Sequence, residues 1–196
     1  MNIAIVLFPQ VEELDFAGPY EVFGMAANYL FKDWRVFTVA ESSPVKGTCG
    51  LSINVDHTFA SAPAADVLIV PGGVGTREGV DNEALVGYIR RAGAQAAWVT
   101  SVCTGAFLLH RAGFLDGKRA TTHWGSRQQL ADAGVTVVEE RWVHDGNVIT
   151  AAGVSAGIDM ALYLVGQIKG PDEARRVQKL IEYDPAPPYA EARATR

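Results

Sequence analysis

The chain has 196 residues, 48% of them hydrophobic and 20% charged, the balance of an ordinary globular protein. A chain of this size buries roughly 70% of the surface its unfolded form exposes, so it needs no disulfide or metal staple to hold a core. The formal net charge of -5, from 17 Lys and Arg against 22 Asp and Glu, argues against a nucleic-acid surface, because phosphate neutralisation requires clustered basic residues.

Met1-Asn2 leads into the apolar run Ile3 to Phe8, with no basic leader before it and no small-residue cleavage site after it. The run reads as a buried strand rather than a signal peptide. Later apolar runs, Val67 to Val70 and Ala97 to Thr100, lack alternation in the manner of parallel strands buried on both faces, and Trp34 to Val39 is a further strand. Val45 to Cys49 and Leu51 to Val55 flank Gly50 and predict a hairpin. Helices are expected over Tyr20 to Asn28, Asn82 to Ala94, Gly105 to Ala112 and Ser126 to Ala133. Val135 to Val138 and the pair Trp142 to His144 and Val148 to Thr150, about Asp145-Gly146-Asn147, supply late strands and a hairpin. Val154, Ile158, Ala161, Leu162, Val165 and Ile168 mark one face of a long helix that Gly170-Pro171 stops. A last helix runs from Pro171 to Tyr183, with Asp172 and Glu173 in its dipole-favoured first turn.

This order predicts one α/β domain over 1–196, a three-layer sandwich around a mainly parallel sheet, with an extended C-terminal tail over 185–196. Arg175-Arg176 with Lys179 is too short for a phosphate-binding patch and reads as a solvated helix face. No segment approaches the ~18 apolar residues of a spanning helix, so no membrane partner is expected. Cys49 and Cys103 allow at most one bridge, and the expected setting is the reducing cytoplasm with both thiols free.

The sharpest chemical feature is Val99-Thr100-Ser101-Val102-Cys103-Thr104-Gly105-Ala106, an apolar strand that reaches a cysteine and then small residues opening a helix. This is the local form of a nucleophile elbow, where helix-start N–H groups favour negative charge and would lower the thiol pKa. Spacing alone leaves open a second reading, Cys103 as a small core hydrophobe. Cys49 has no helix after it and is read as structural. Pro71-Gly72-Gly73-Val74-Gly75 allows close backbone approach to a ligand and offers N–H groups to an anion, although Pro-Gly-Gly is also an ordinary turn. Its spacing matches neither a dinucleotide fingerprint nor a phosphate loop.

Asp15, among Leu14, Phe16 and Ala17, is placed to be desolvated and to act as a general acid, or else to cap the helix that follows. His123, in Thr121-Thr122-His123-Trp124, is a secondary candidate for substrate contact or a structural hydrogen bond. His57, His110 and His144 have no ligand spacing, so no metal site is expected.

Taken together, Phe8-Pro9, Leu14 to Pro19, Pro71-Gly72-Gly73 and Ser101 to Gly105 resemble the ThiJ/PfpI superfamily over nearly the whole chain. Gly117 to Trp124, Gly157-Ile158-Asp159 and Tyr183 to Tyr189 bring the likeness closer to its isocyanide hydratases. The resemblance implies a flavodoxin-like sandwich, a homodimer, a small-molecule substrate and no metal or organic cofactor. It implies Cys103 as nucleophile, Asp15 as its acidic partner and Thr104 as an orienting neighbour. Gly72 or Gly73 with the Thr104 N–H would line an anion pocket, and Val154 would be a packing or gating position.

Relatives with peptidase or amidotransferase-like activity follow or support the cysteine with histidine. Here Thr104 follows Cys103 and Gly125 stands second after His123, which argues against amide hydrolysis. The expected activity is hydration of an isocyanide to an N-substituted formamide. The alternatives are an α-oxoaldehyde enzyme of glyoxalase type and a redox or ligand-sensing module. The sensing reading is the weaker, because regulators of this kind continue into a helix-turn-helix region.

Overall fold

The computed structural model describes residues 1–188, and its first strand sets the frame. β1 (Asn2–Val6) is followed by α1 (Glu13–Met25), a π-helical extension over Ala26–Leu30, and β2 (Arg35–Ala40), which lies parallel beside β1. A hairpin of β3 (Val45–Lys46) and β4 (Ser52–Ile53) stands off the main sheet, and β5 (His57–Thr58) closes one edge. Then come β6 (Val67–Val70), α2 (Thr76–Gly79), α3 (Glu83–Gln95), β7 (Trp98–Val102) and α4 (Gly105–Arg111). β8 (Arg119–Ala120) and β9 (Thr136–Val137) form a small parallel pair around α5 (Arg127–Asp132). β10 (Trp142–Asp145) and β11 (Val148–Ala151) make the antiparallel edge, before α6 (Ala156–Lys169) and α7 (Pro171–Leu180).

The seven-stranded sheet has the order β10-β11-β7-β6-β1-β2-β5, parallel throughout except at β10–β11. One helical layer is built from α1, α6 and α7; the other from α2, α3 and α4. This is the expected flavodoxin-like sandwich. Ile3 to Leu7 and Val67 to Val70 are wholly buried, because both faces of the central strands are covered by helices. The carboxyl ends of β1, β6 and β7 therefore open on the same side, where α/β sheets place their ligands.

The last helix stops at Leu180, three residues short of the expected Tyr183, but the helix boundary displaced furthest is the one that matters for function. α1 begins at Glu13, seven residues before the expected Tyr20, and Pro19 lies inside it. Pro19 lacks only the N–H that would have reached the Asp15 carbonyl, while packing holds the first turns in place. Phe16 is buried, and Gly18 lies so close to α6 that a Cβ there would fall 2.8 Å from Ile158 Cγ1. Asp15 is consequently a first-turn helical residue with its side chain buried in the fold. The short elements β5, β8 and α2 have too few residues for a periodic signal.

Among the described residues no helix is long and apolar enough to cross a membrane. Residues 185–188 are exposed and outside any helix or strand; the rest of the expected tail, 189–196, lies outside the described residues.

Two glycines separate steric need from helix propensity. A Cβ at Gly105 would fall 2.1 Å from the Val70 carbonyl oxygen, whereas one at Gly24 meets nothing within 4 Å. Gly105→Ala is expected to cost about 1–3 kcal/mol by overpacking, and Gly24→Ala, inside α1, to gain up to about 1 kcal/mol. Urea unfolding of the two variants checks this. Wild-type stability in Gly105→Ala would contradict the packing of α4 against the end of β6.

Candidate active site

At the end of β7 the chain turns through Cys103 at φ 56°, a left-handed conformation that a residue with a Cβ adopts only under constraint. The constraints are visible on both sides of the residue. Its N–H donates to the carbonyls of Ala151 at 3.1 Å and Ala152 at 2.8 Å, and its carbonyl accepts from Thr122 Oγ1 at 2.8 Å. The absence of a Cβ at Gly105 lets the start of α4 pack on the Val70 and Pro71 carbonyls. This is the expected elbow, with the thiol buried on the wall of a cavity.

Asp15 is wholly buried. Its Oδ2 accepts from the Gly72 N–H at 3.0 Å, and the Glu12 N–H donates to the Gly72 carbonyl at 2.9 Å. The start of α1 thus grips Gly72 from both sides of its peptide. Asp15 does not cap the helix: Glu12 holds the N-cap position, and the Asp15 carboxyl crosses instead to the loop after β6. Its other oxygen, Oδ1, is buried without a hydrogen-bond partner among the described residues, and the Cys103 side chain is near enough to bias its titration.

Thr104 ties the third segment in. Its Oγ1 accepts from the Gly73 N–H at 3.0 Å and lies 3.2 Å from the Gly73 carbonyl. A Cβ at Gly72 would fall 2.6 Å from both Thr104 N and Oγ1 and 2.9 Å from Asp15 Oδ2. Only glycine lets the acid, the loop and the elbow meet. The expectation that Gly72 or Gly73 offers an N–H to an anion is corrected here, because Asp15 takes the first and Thr104 the second. The Val74 N–H has no acceptor among the described residues, whereas the Thr104 N–H is engaged by the Cys103 sulfur, and both residues line the cavity.

The electrostatics correct a second expectation. Burial pushes the Cys103 thiol up to about 12, and the neighbouring Asp15 charge adds to the rise, while the Thr104 N–H and hydroxyl oppose it. Desolvation and a facing carboxylate outweigh the pull of a seven-residue helix. Asp15 is raised from its ordinary 3.8 to about 7, chiefly by burial, with the Gly72 N–H opposing and the Glu12 charge adding. The thiol therefore holds its proton near neutrality, beside a carboxyl that titrates there.

The cavity in front of Cys103 has a volume of about 340 Å³. Cys103, Thr104, Gly73, His123 and Val154 all line it, with Gly72 and Asp15 packed behind the elbow. Val74, Val80, Phe107 and Val154 give it apolar walls. His123 Nδ1 accepts from the Gly125 N–H at 3.3 Å, and this contact orients the ring. Gly153 has no motif of its own, yet a Cβ there would fall 2.9 Å from Cys103 Sγ and 3.0 Å from His123 Cδ2. Glu12 and Arg77 also line the cavity and carried no motif. Glu12 is adjacent in sequence to the Asp15 segment, whereas Arg77 lies in the helix that periodicity missed.

Trp34 is core, Trp98 and Trp142 are half-buried, and Trp124 is exposed; none of the four lines the cavity. Cys49 is exposed, and among the described residues it joins Glu12 and Glu13 in the one cluster whose potential metal-ligating atoms lie within 4.8 Å of one another. The Glu13 carboxylate there is engaged by the backbone N–H groups of Cys49 and Leu51, a structural tie for the hairpin.

A raised carboxyl pKa fixes the sign of a stability effect. The protonated form is favoured in the fold, so Asp15 is tolerated best below its unfolded value and costs stability as pH rises through about 7. Asp15→Asn removes that ionisation. Its melting temperature is expected to exceed wild type at about pH 8 and the gap to close towards about pH 4. A gap that widens on acidification would contradict the burial of a neutral carboxyl.

The sequence profile of the DJ-1/PfpI family matches residues 1–167. The chain is 43% identical to isonitrile hydratase of Pseudomonas putida over 96% of its own length and 81% of that protein. It is 31% identical to the transcriptional regulator CdhR of Pseudomonas aeruginosa over 89% of its length, but spans only 52% of that longer protein. The crystal structure of a ThiJ/PfpI family protein from Pseudomonas syringae superimposes with a TM-score of 0.89 at 37% identity, covering 96% of this chain and 77% of that one. With the elbow, its buried acid and the sheet order already in place, the chain belongs to the DJ-1/PfpI family.

Proposed function

We propose that this protein hydrates isocyanides to N-substituted formamides through a covalent Cys103 thioimidate. The observation that carries the reading is the Cys103–Asp15 pair, a buried thiol beside a carboxyl that titrates near neutrality, facing a largely apolar cavity. The 43% identity to an isonitrile hydratase supports the same substrate class.

An isocyanide must gain both a nucleophile and a proton at its terminal carbon. As the Cys103 sulfur bonds to that carbon, the thiol proton passes to the Asp15 carboxylate, which returns it to the same carbon. The product of this half-reaction is the thioimidate R–N=CH–S–Cys103. Water then adds to that carbon, the C–S bond breaks, and the formamide R–NH–CHO leaves as the thiol recovers its proton. The Val74 N–H, lacking an acceptor among the described residues, is the donor available to oxygen charge that develops during this addition. The thiol and carboxyl exchange one proton in both halves, so no external acid is required. Thr104 serves as a brace, its hydroxyl fixing Gly73 beside the elbow.

Formamide production from cyclohexyl or aryl isocyanide is the assay, run in parallel with methylglyoxal as the α-oxoaldehyde arm. Cys103→Ala is expected to abolish formamide production, and Asp15→Asn to lower kcat by about 100-fold or more with folding intact. The profile of kcat/KM is expected to climb with pH through about 7, as Asp15 ionises and becomes able to accept the thiol proton. Normal turnover by Cys103→Ala would remove the covalent route. Consumption of methylglyoxal with no formamide from either isocyanide would replace hydration by the aldehyde reading.

A further inference from the structure

The cavity carries two charged side chains that the hydration chemistry does not use, Glu12 and Arg77. They come from different elements, Glu12 from the start of α1 and Arg77 from α2. Glu12 is the N-cap of α1, three residues before Asp15, and its charge reaches the Asp15 carboxyl. Negative charge therefore gathers around Asp15, from Glu12 and from the ionised Asp15 carboxyl itself. Arg77 stands on α2, beyond the Gly73–Gly75 turn, with its side chain exposed and no ion-pair partner among the described residues.

Apolar side chains, chiefly Val74, Val80, Phe107 and Val154, make up the walls. At about 340 Å³ the space lies at the small end of ligand pockets, enough for a compact ring or branched alkyl group. A substrate with an anionic end would be repelled by Glu12 and attracted to the exposed Arg77, which would leave its isocyano carbon to the thiol. Guanidinium suits this role, because it can hold a carboxylate through two parallel N–H bonds.

Resting on the hydration reading, we infer that the site selects isocyanides whose substituent ends in a carboxylate or comparable anion, and that Arg77 is the specificity-determining residue. The inference concerns which isocyanide is taken; Cys103 and Asp15 perform the same chemistry on all of them.

The test compares para-isocyanobenzoate with its neutral methyl ester, using the full chain and the variants Arg77→Gln and Arg77→Lys. For wild type, kcat/KM is expected to favour the carboxylate by roughly fivefold or more, the size of one partly screened ion pair. The preference should reside in KM and shrink as salt is added. Arg77→Gln should bring the ratio of the two substrates to about one, and Arg77→Lys should keep part of it.

A wild-type ratio of one or below, or a ratio that Arg77→Gln leaves in place, overturns the assignment while hydration stands. Calorimetric binding of para-formamidobenzoate and its methyl ester supplies the arm that does not depend on turnover. If neither isocyanide reacts and the acid still binds in preference to the ester through Arg77, the anion site stands and hydration falls. Equal binding of acid and ester to wild type and Arg77→Gln overturns the anion site itself.

Discussion

Placing a carboxyl group in a dry interior next to a thiol is the constraint around which this molecule is arranged. Asp15 is wholly buried and is raised to about 7; Cys103 is buried and raised to about 12. Neither residue would be placed there for stability, since desolvation penalises the charged form of each. In the proposed hydration the thiol proton would pass to the carboxyl only as the sulfur bonds to carbon, which leaves that proton close to the carbon that must receive it. Nucleophile and acid would then act as one coupled unit, with water needed only for the second half.

Keeping that unit together occupies much of the surrounding backbone. Gly72 lies between the Glu12 N–H, which it accepts, and the Asp15 carboxyl, to which it donates. Gly73 is held by Thr104, and Gly153 leaves room for Cys103 and His123 to approach. The strained elbow is fixed by the carbonyls of Ala151 and Ala152 on one side and the Thr122 hydroxyl on the other. Apart from Asp15, in the first turn of α1, and Thr122 and His123, which follow β8 of the small sheet, these groups belong to the carboxyl ends of strands in the main sheet or to the loops that leave them. A parallel sheet with both faces covered is rigid there and open above, so the fold supplies the stiffness and the loops supply the chemistry.

Much of this was legible in the residues themselves. Apolar runs located β1, β6 and β7, the segment Trp34 to Val39 located β2, and the passage from Val102 through Cys103 to Gly105 located the elbow. The pairing of Asp15 with Cys103 entered through family resemblance, because residues 15 and 103 meet only in three dimensions. Local rules failed where through-space packing decides the outcome. The helix expected from Tyr20 begins at Glu13 with Pro19 inside it, held by Phe16 and by the contact of Gly18 with α6. The glycine N–H groups looked available and are engaged, and the helix-start rule for the thiol lost to burial and a facing carboxylate. Glu12, Arg77 and Gly153 have no motif of their own and acquire meaning only from what the cavity brings near them.

The coupling of thiol and carboxyl can be tested without any substrate, by following thiolate ultraviolet absorbance against pH in a Cys49→Ser background, in which Cys103 is the remaining cysteine. The Cys103 thiol is predicted to stay protonated through neutrality and to ionise only well into the alkaline range. Replacing Asp15 by Asn should bring that ionisation down, because the facing negative charge is gone. A thiolate already formed near neutral pH, or a titration that Asp15→Asn leaves unmoved, would contradict the account.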